Sequence, residues 1–129
     1  MIETMQLIGT HNEVRLVVSH ADTAAVYGSG SLEVFATPAM IALMEKSCLE
    51  SVNGSLDDGC TTVGTHLDVS HLKATPVGSE VRCESTLIEV DRRRLVFKVQ
   101  CYEGENLIGE GKHERFIVDS EKFMAKLKG

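Results

Sequence analysis

The sequence predicts an α+β domain in which one antiparallel sheet wraps a long central helix. Three observations carry this. The stretch from Val34 to Gly54 has helical start and stop signals and a run, Ala39 to Met44, without a polar residue. Four long strand-like stretches follow it, separated by turn sequences. No linker, internal repeat or low-complexity segment divides the 129 residues, so 1–129 reads as a single domain. Strands grouped after a helix point to antiparallel α+β architecture. A helix that is apolar on most sides needs a sheet curled around it.

Taken in order, residues 13–19 alternate Val14, Leu16 and Val18 against Arg15, Val17 and Ser19, the pattern of a half-buried strand. Residues 21–33 are rich in Gly, Ala and Ser and read as a mobile loop placed to cover a pocket at the helix start. Thr37 suits a helix cap and Pro38 the first helical position, while Gly54 supplies a left-handed stop. After a loop with an Asp57-Asp58-Gly59 turn signal, Thr61 to Thr75 alternates. Val63, Leu67, Val69 and His71 share one face by parity; Gly64, His66, Asp68 and Ser70 share the other. Val81 to Asp91 and Leu95 to Tyr102 form a hairpin joined at Asp91-Arg92-Arg93-Arg94. A turn at 103–106 leads to a last strand, Leu107 to Val118, where Gly109 and Gly111 suggest a bend or a close approach. Ser120 to Lys128 suits a short helix.

Composition narrows the function. A hydrophobic content of 43% fits a folded globular protein, and a net charge of −6 argues against nucleic acid or an anionic membrane as partner. Arg92-Arg93-Arg94 is too short a cluster to overturn that. The start of the chain has no signal-peptide pattern, and no apolar run reaches membrane-spanning length. Cys48, Cys60, Cys83 and Cys101 are scattered without a CxxC pair, so reduced thiols in a cytoplasmic protein are expected. No zinc spacing appears, and no metal or other cofactor is implied.

The chemistry centres on Glu45. Its neighbours at helical spacing are Ile41, Cys48, Leu49 and Val52, all apolar, whereas Lys46 and Glu50 pair on the opposite side. A buried carboxylate is costly unless paired or protonated. His71 points inward from its strand by parity, which brings an imidazole and a carboxylate to the same helix–sheet interface. Thr37 has two readings, as a helix cap or as a site residue at the positive end of the helix dipole. It lies about 80° around the axis from Glu45 and roughly 12 Å along it. His66 and His71, five apart on a strand, face opposite ways and do not suit a shared metal. His113 reads as an ordinary strand histidine, and Arg115, of the same parity, faces either a pocket or solvent. Cys48 sits mid-helix without a base and is a poor nucleophile. The hydrolase elbow, P-loop, dinucleotide fingerprint and zinc-protease motifs are all absent.

With these residues assembled, the chain resembles hotdog-fold acyl-CoA thioesterases, and among them the fluoroacetyl-CoA thioesterase family. The resemblance rests on Val34 to Glu45, on Gly64-Thr65 ahead of Val69-Ser70-His71 and Ala74-Thr75-Pro76, and on Gly109-Glu110-Gly111-Lys112-His113-Glu114-Arg115. It implies a hotdog fold, a homodimer with sites near the subunit interface, and hydrolysis of an acyl-CoA substrate to acid and CoA. The family's catalytic Thr, Glu and His fall on Thr37, Glu45 and His71, and its substrate-side glycine and arginine on Gly64 and Arg115. One departure stands out. Fluoroacetyl-specific members carry an aromatic-bearing lid before the helix, where this chain has Gly28-Ser29-Gly30-Ser31-Leu32. The expected acyl group is therefore short without being tied to fluoroacetyl. The rival from another class is a non-catalytic acyl-CoA-binding hotdog protein, which has no need of an ionisable pair at the helix–sheet interface. A hotdog enoyl-CoA hydratase fits less well, because its Asp-x4-His motif is missing from the helix.

Overall fold

The computed structural model describes residues 4–129. The strands are β1 (His11–Val17), β2 (Cys60–His71), β3 (Glu80–Asp91), β4 (Arg94–Glu103) and β5 (Asn106–Asp119). They form one sheet in the order β1-β3-β4-β5-β2, antiparallel at every pairing. A helical turn, α1 (Ala24–Tyr27), precedes the long helix α2 (Thr37–Asn53), and α3 (Ser120–Leu127) closes the chain. This is the α+β sheet-around-helix architecture that the sequence predicts. Among the described residues no helix is long and apolar enough to cross a membrane.

Helix α2 packs against the sheet through Met40, Met44, Cys48 and Val52, spaced four apart and fully buried, with Leu43 beside them. Opposite them, Val81, Cys83 and Leu87 of β3 and Leu95, Phe97, Val99 and Cys101 of β4 point inward at every second residue. Each Val, Leu, Met and Phe among them contributes about 1.5–3 kcal/mol by leaving water. Two buried hydroxyls fix the helix against the sheet: Ser47 Oγ and Ser85 Oγ stand 2.8 Å apart, and Asn12 Nδ2 donates to the Ser47 carbonyl at 3.1 Å. At Gly109 β5 leaves room for α2, since a Cβ there would collide with the Met40 thioether. A Cβ at Gly111 would collide with the Asp68 carbonyl of β2.

Several local expectations are corrected. Ala36, not Thr37, is the N-cap, with an extended ψ of 141°, and Thr37 is the first helical residue. Gly54 is right-handed at φ −78°, so α2 ends without a left-handed stop. The 21–33 segment is a hydrogen-bonded excursion rather than a loose loop. Ala24 and Ala25 donate their N–H groups to the Val34 and Leu32 carbonyls, and Gly28 ends α1 at φ 76°. The alternation of β2 is broken by a bulge between Gly64 and His66. Gly64 therefore faces α2 along with Leu67, Val69 and His71 instead of facing away. Finally, Cys83 and Cys101 stand directly opposite each other on β3 and β4 and are disulfide-bonded, while Cys48 and Cys60 are free. The expectation of four thiols missed this because it depends on strand register.

Candidate active site

The side of α2 turned away from the buried row is open. Thr37, Pro38 and Ala42 are exposed, and Ile41, Glu45 and Leu49 are partly so. The predicted site residues lie along this side and along the facing parts of β2 and β5, in two groups.

The first group sits at the N-terminus of α2. Because Ala36 rather than Thr37 caps the helix, the Thr37 hydroxyl is available, and its Oγ1 is 2.7 Å from His71 Nδ1. The His71 ring stands edge-on to Phe35, with centroids 6.5 Å apart and an interplanar angle of 81°. Phe35 is itself buried and fixed by a bridge to Thr23, so it sets the orientation of the imidazole. Burial pushes the His71 pKa below its ordinary value, with the nearby Lys73 backbone opposing the shift. The ring is thus neutral at pH 7, able to accept the Thr37 proton at Nδ1. A cavity of about 290 Å³ adjoins the pair, lined by Ala24, Ser29, Val34 and Phe35 as well as Thr37 and His71. The positive end of the α2 dipole faces the same place.

The second group lies two turns further along α2. The carboxylate of Glu45 does not meet His71; its Oε2 is 3.5 Å from Arg115 Nη1 and 3.9 Å from His113 Nε2. Glu45 is two-fifths exposed, so it is a rim residue and not the core carboxylate that its helical neighbours suggest. Arg115 is buried against β2. Its Nε donates to Thr62 Oγ1 at 2.7 Å and its Nη2 to the Thr62 carbonyl at 2.9 Å. Its Nη1 stands 3.1 Å from His113 Nε2, and His113 Nδ1 is 2.8 Å from the His66 carbonyl. These contacts define the tautomer: Nδ1 carries the proton and donates to His66, leaving Nε2 to accept from Arg115. Gly64 completes the group. A Cβ there would lie 2.8 Å from Glu45 Oε2 and 3.2 Å from His113 Cε1.

Thr37 and His71 are therefore brought together, as are Glu45, Gly64 and Arg115, but no hydrogen bond or ion pair joins the two groups among the described residues. Cys48 is excluded as a nucleophile, since burial pushes its thiol up to about 12. Sequence reasoning missed Thr62 and the role of His113. The signal for His113 was its shared parity with Arg115, two residues on; Thr62 gave none, because it depends on the bulge that turns Gly64 inward.

Comparison with known proteins gives the family. The family described as fluoroacetyl-CoA-specific thioesterase matches residues 18–121. A fluoroacetyl-CoA thioesterase of Streptantibioticus cattleyicolor is 41% identical over 96 residues, 74% of this chain and 69% of that protein. A variant of a fluoroacetyl-CoA-specific thioesterase, solved in complex with fluoroacetate and CoA, superposes with a TM-score of 0.84 at 34% identity, covering 90% of this chain and 98% of that one. A hot-dog-like protein from Thermanaerovibrio acidaminovorans shares the fold alone, with a TM-score of 0.89 at 23% identity over 98% of this chain and 95% of that one. Fold and relatives thus define a hotdog-fold acyl-CoA thioesterase, a thioester hydrolase. Within that class, the chain belongs to the fluoroacetyl-CoA-specific thioesterase family.

Proposed function

We propose that the protein hydrolyses short-chain acyl-CoA thioesters to the free acid and CoA, as a homodimer whose sites are shared between subunits. The observation that carries the chemistry is the 2.7 Å contact between Thr37 Oγ1 and a neutral His71 Nδ1 beside a small cavity. A hydroxyl held on an imidazole is a nucleophile with its base. His71 takes the Thr37 proton as Oγ1 attacks the thioester carbon, and the α2 N-terminus stabilises the oxyanion. Collapse of the tetrahedral intermediate expels the CoA sulfur, which leaves with the proton from His71. Water, giving its proton to Glu45, then attacks the Thr37 ester; the tetrahedral intermediate expels Thr37 Oγ1, which takes that proton back, and the free acid leaves. Gly64 leaves room for the thioester over Glu45, and Arg115 holds that carboxylate in place.

The dimer accounts for the separation of the two groups. β2 is an edge strand of 12 residues with Gly64 to Asp68 exposed, a template for pairing with a second copy. The other edge, β1, has seven residues and carries Glu13 and Arg15, which discourage pairing. Gly64 and His71 are seven positions apart on β2, roughly 23 Å along the strand at about 3.3 Å per residue. A twofold axis midway between them sets His71 of one subunit beside Gly64 of the other, and so Thr37 and His71 opposite Glu45 of the partner subunit.

The cavity suits an acyl group of a few carbons, and no aromatic side chain from 28–32 closes over it. The acyl preference is therefore short and not confined to fluoroacetyl. CoA esters carry several phosphate charges and do not cross membranes, which supports a cytoplasmic location. There the Cys83–Cys101 bond lies fully buried, out of reach of reducing thiols.

The test is release of CoA thiol from acetyl-, fluoroacetyl-, butyryl- and hexanoyl-CoA. Turnover of the shorter esters supports the reading. Thermal stabilisation by these ligands without CoA release would point instead to a binding protein.

A further inference from the structure

The buried polar group behind Glu45 has a feature that the hydrolytic steps do not use. His113 is 1% exposed, yet both of its ring nitrogens are occupied. Nδ1–H is donated to the His66 carbonyl at the far side of the β2 bulge, and Nε2 accepts from Arg115. Arg115 is held at three points, by the two Thr62 oxygens and by His113. The Nη1 that His113 holds is the same nitrogen that approaches Glu45 Oε2.

We propose that His113 is a positioning residue: as a neutral, Nδ1-protonated imidazole it fixes the rotation of the Arg115 guanidinium, and through it the place of the Glu45 carboxylate. The inference rests on the thioesterase reading above for its effect on rate. A guanidinium tied only through Thr62 keeps a swing about its chain that the third contact removes. The acceptor must be uncharged, because a protonated ring has no lone pair to offer and would set a second cation against a buried one. Burial and the Arg115 charge both hold the His113 pKa below its ordinary value, in keeping with that requirement. Thr62 shares this work from the other side of the guanidinium.

Two substitutions separate the ring nitrogens. His113→Gln places an amide oxygen where Nε2 stood and keeps the Arg115 contact while losing that to His66. His113→Asn does the reverse. Each removes one hydrogen bond, so a purely structural role moves both alike. A positioning role leaves kcat/KM of His113→Gln within about 2-fold of the unsubstituted protein and lowers that of His113→Asn roughly 10- to 100-fold. In an Arg115→Ala background the gap between the two closes to about 2-fold. Equal loss in both variants, or a gap that persists without Arg115, overturns the proposal. Nitrogen-15 NMR of the arginine side chains gives a readout independent of turnover. The Arg115 Nε–H signal stays sharp in His113→Gln and broadens in His113→Asn. That difference in a protein that releases no CoA would retain the positioning and reject the thioesterase reading. Identical signals in an active enzyme would do the opposite.

Discussion

Thr37 Oγ1 and His71 Nδ1 lie 2.7 Å apart, 34 residues from each other in sequence, where the first turn of α2 meets the end of β2. Because Thr37 is exposed and His71 is only half-buried, their contact adds little to stability and is available for chemistry. Replacing either by Ala is expected to lower kcat roughly 10²- to 10⁴-fold while moving the melting temperature little. Thr37→Ser keeps the hydroxyl and is expected to retain far more activity than Thr37→Ala. Steady-state kinetics beside thermal melts check both statements.

A pH profile follows from the same pair. The His71 base must be unprotonated, and burial holds its pKa below the ordinary 6.5. kcat/KM is therefore expected to be level through neutrality and to fall on the acid side, below about pH 6.5. An acid limb centred above pH 7 would contradict the assignment.

Stability should fall over a related window. His71 and His113 are both held low by burial. Below about pH 6.5 the unfolded chain binds protons that the folded one does not, so stability is complete above that pH and is lost as pH falls toward the folded-state pKa values. Melting temperatures measured from pH 8 down to pH 5 are expected to drop on the acid side. The drop should be shallower in His113→Gln, which removes one of the two groups.

How far such a site can be read from sequence is visible in these same residues. The long helix and four long strands are legible because capping, turn residues and alternation act locally. Glu45 and His71 stand out as polar residues at apolar positions, and Thr37 and Arg115 become candidates by resemblance. Parity fails at Gly64, since one extra residue in the bulge turns it toward α2. His113 looks ordinary because nothing in a single strand announces its contact with the His66 carbonyl of the next. The Cys83–Cys101 bond likewise depends on register. Each of these misses is a relationship between strands, which local patterns do not encode.

Gly64→Ala tests the crowding at the second group. The added methyl would stand 2.8 Å from Glu45 Oε2 and 3.2 Å from His113 Cε1. The carboxylate can swing away, but the buried imidazole cannot move freely. The expected result is a stability cost of about 1–3 kcal/mol with a loss of activity larger than that cost explains. Chemical denaturation and kcat/KM measured on the same preparation separate the two effects.

Ser29 lies on the cavity wall beside Thr37 and His71. Ser29→Phe fills part of that space and is expected to reduce turnover of butyryl- and hexanoyl-CoA more than that of acetyl-CoA. A uniform loss across all chain lengths would show that the acyl group lies elsewhere.

Mixing two inactive variants tests the proposed sharing of the site between subunits most directly. His71→Ala keeps Glu45, and Glu45→Ala keeps His71. A mixed dimer of the two therefore carries one site with every residue intact and one lacking both. Refolded together in equal amounts, half of the dimers are mixed and each has one of two sites working, so about a quarter of the unsubstituted activity is expected. No recovery of CoA release in verified mixed dimers, with the unsubstituted enzyme active, would contradict it.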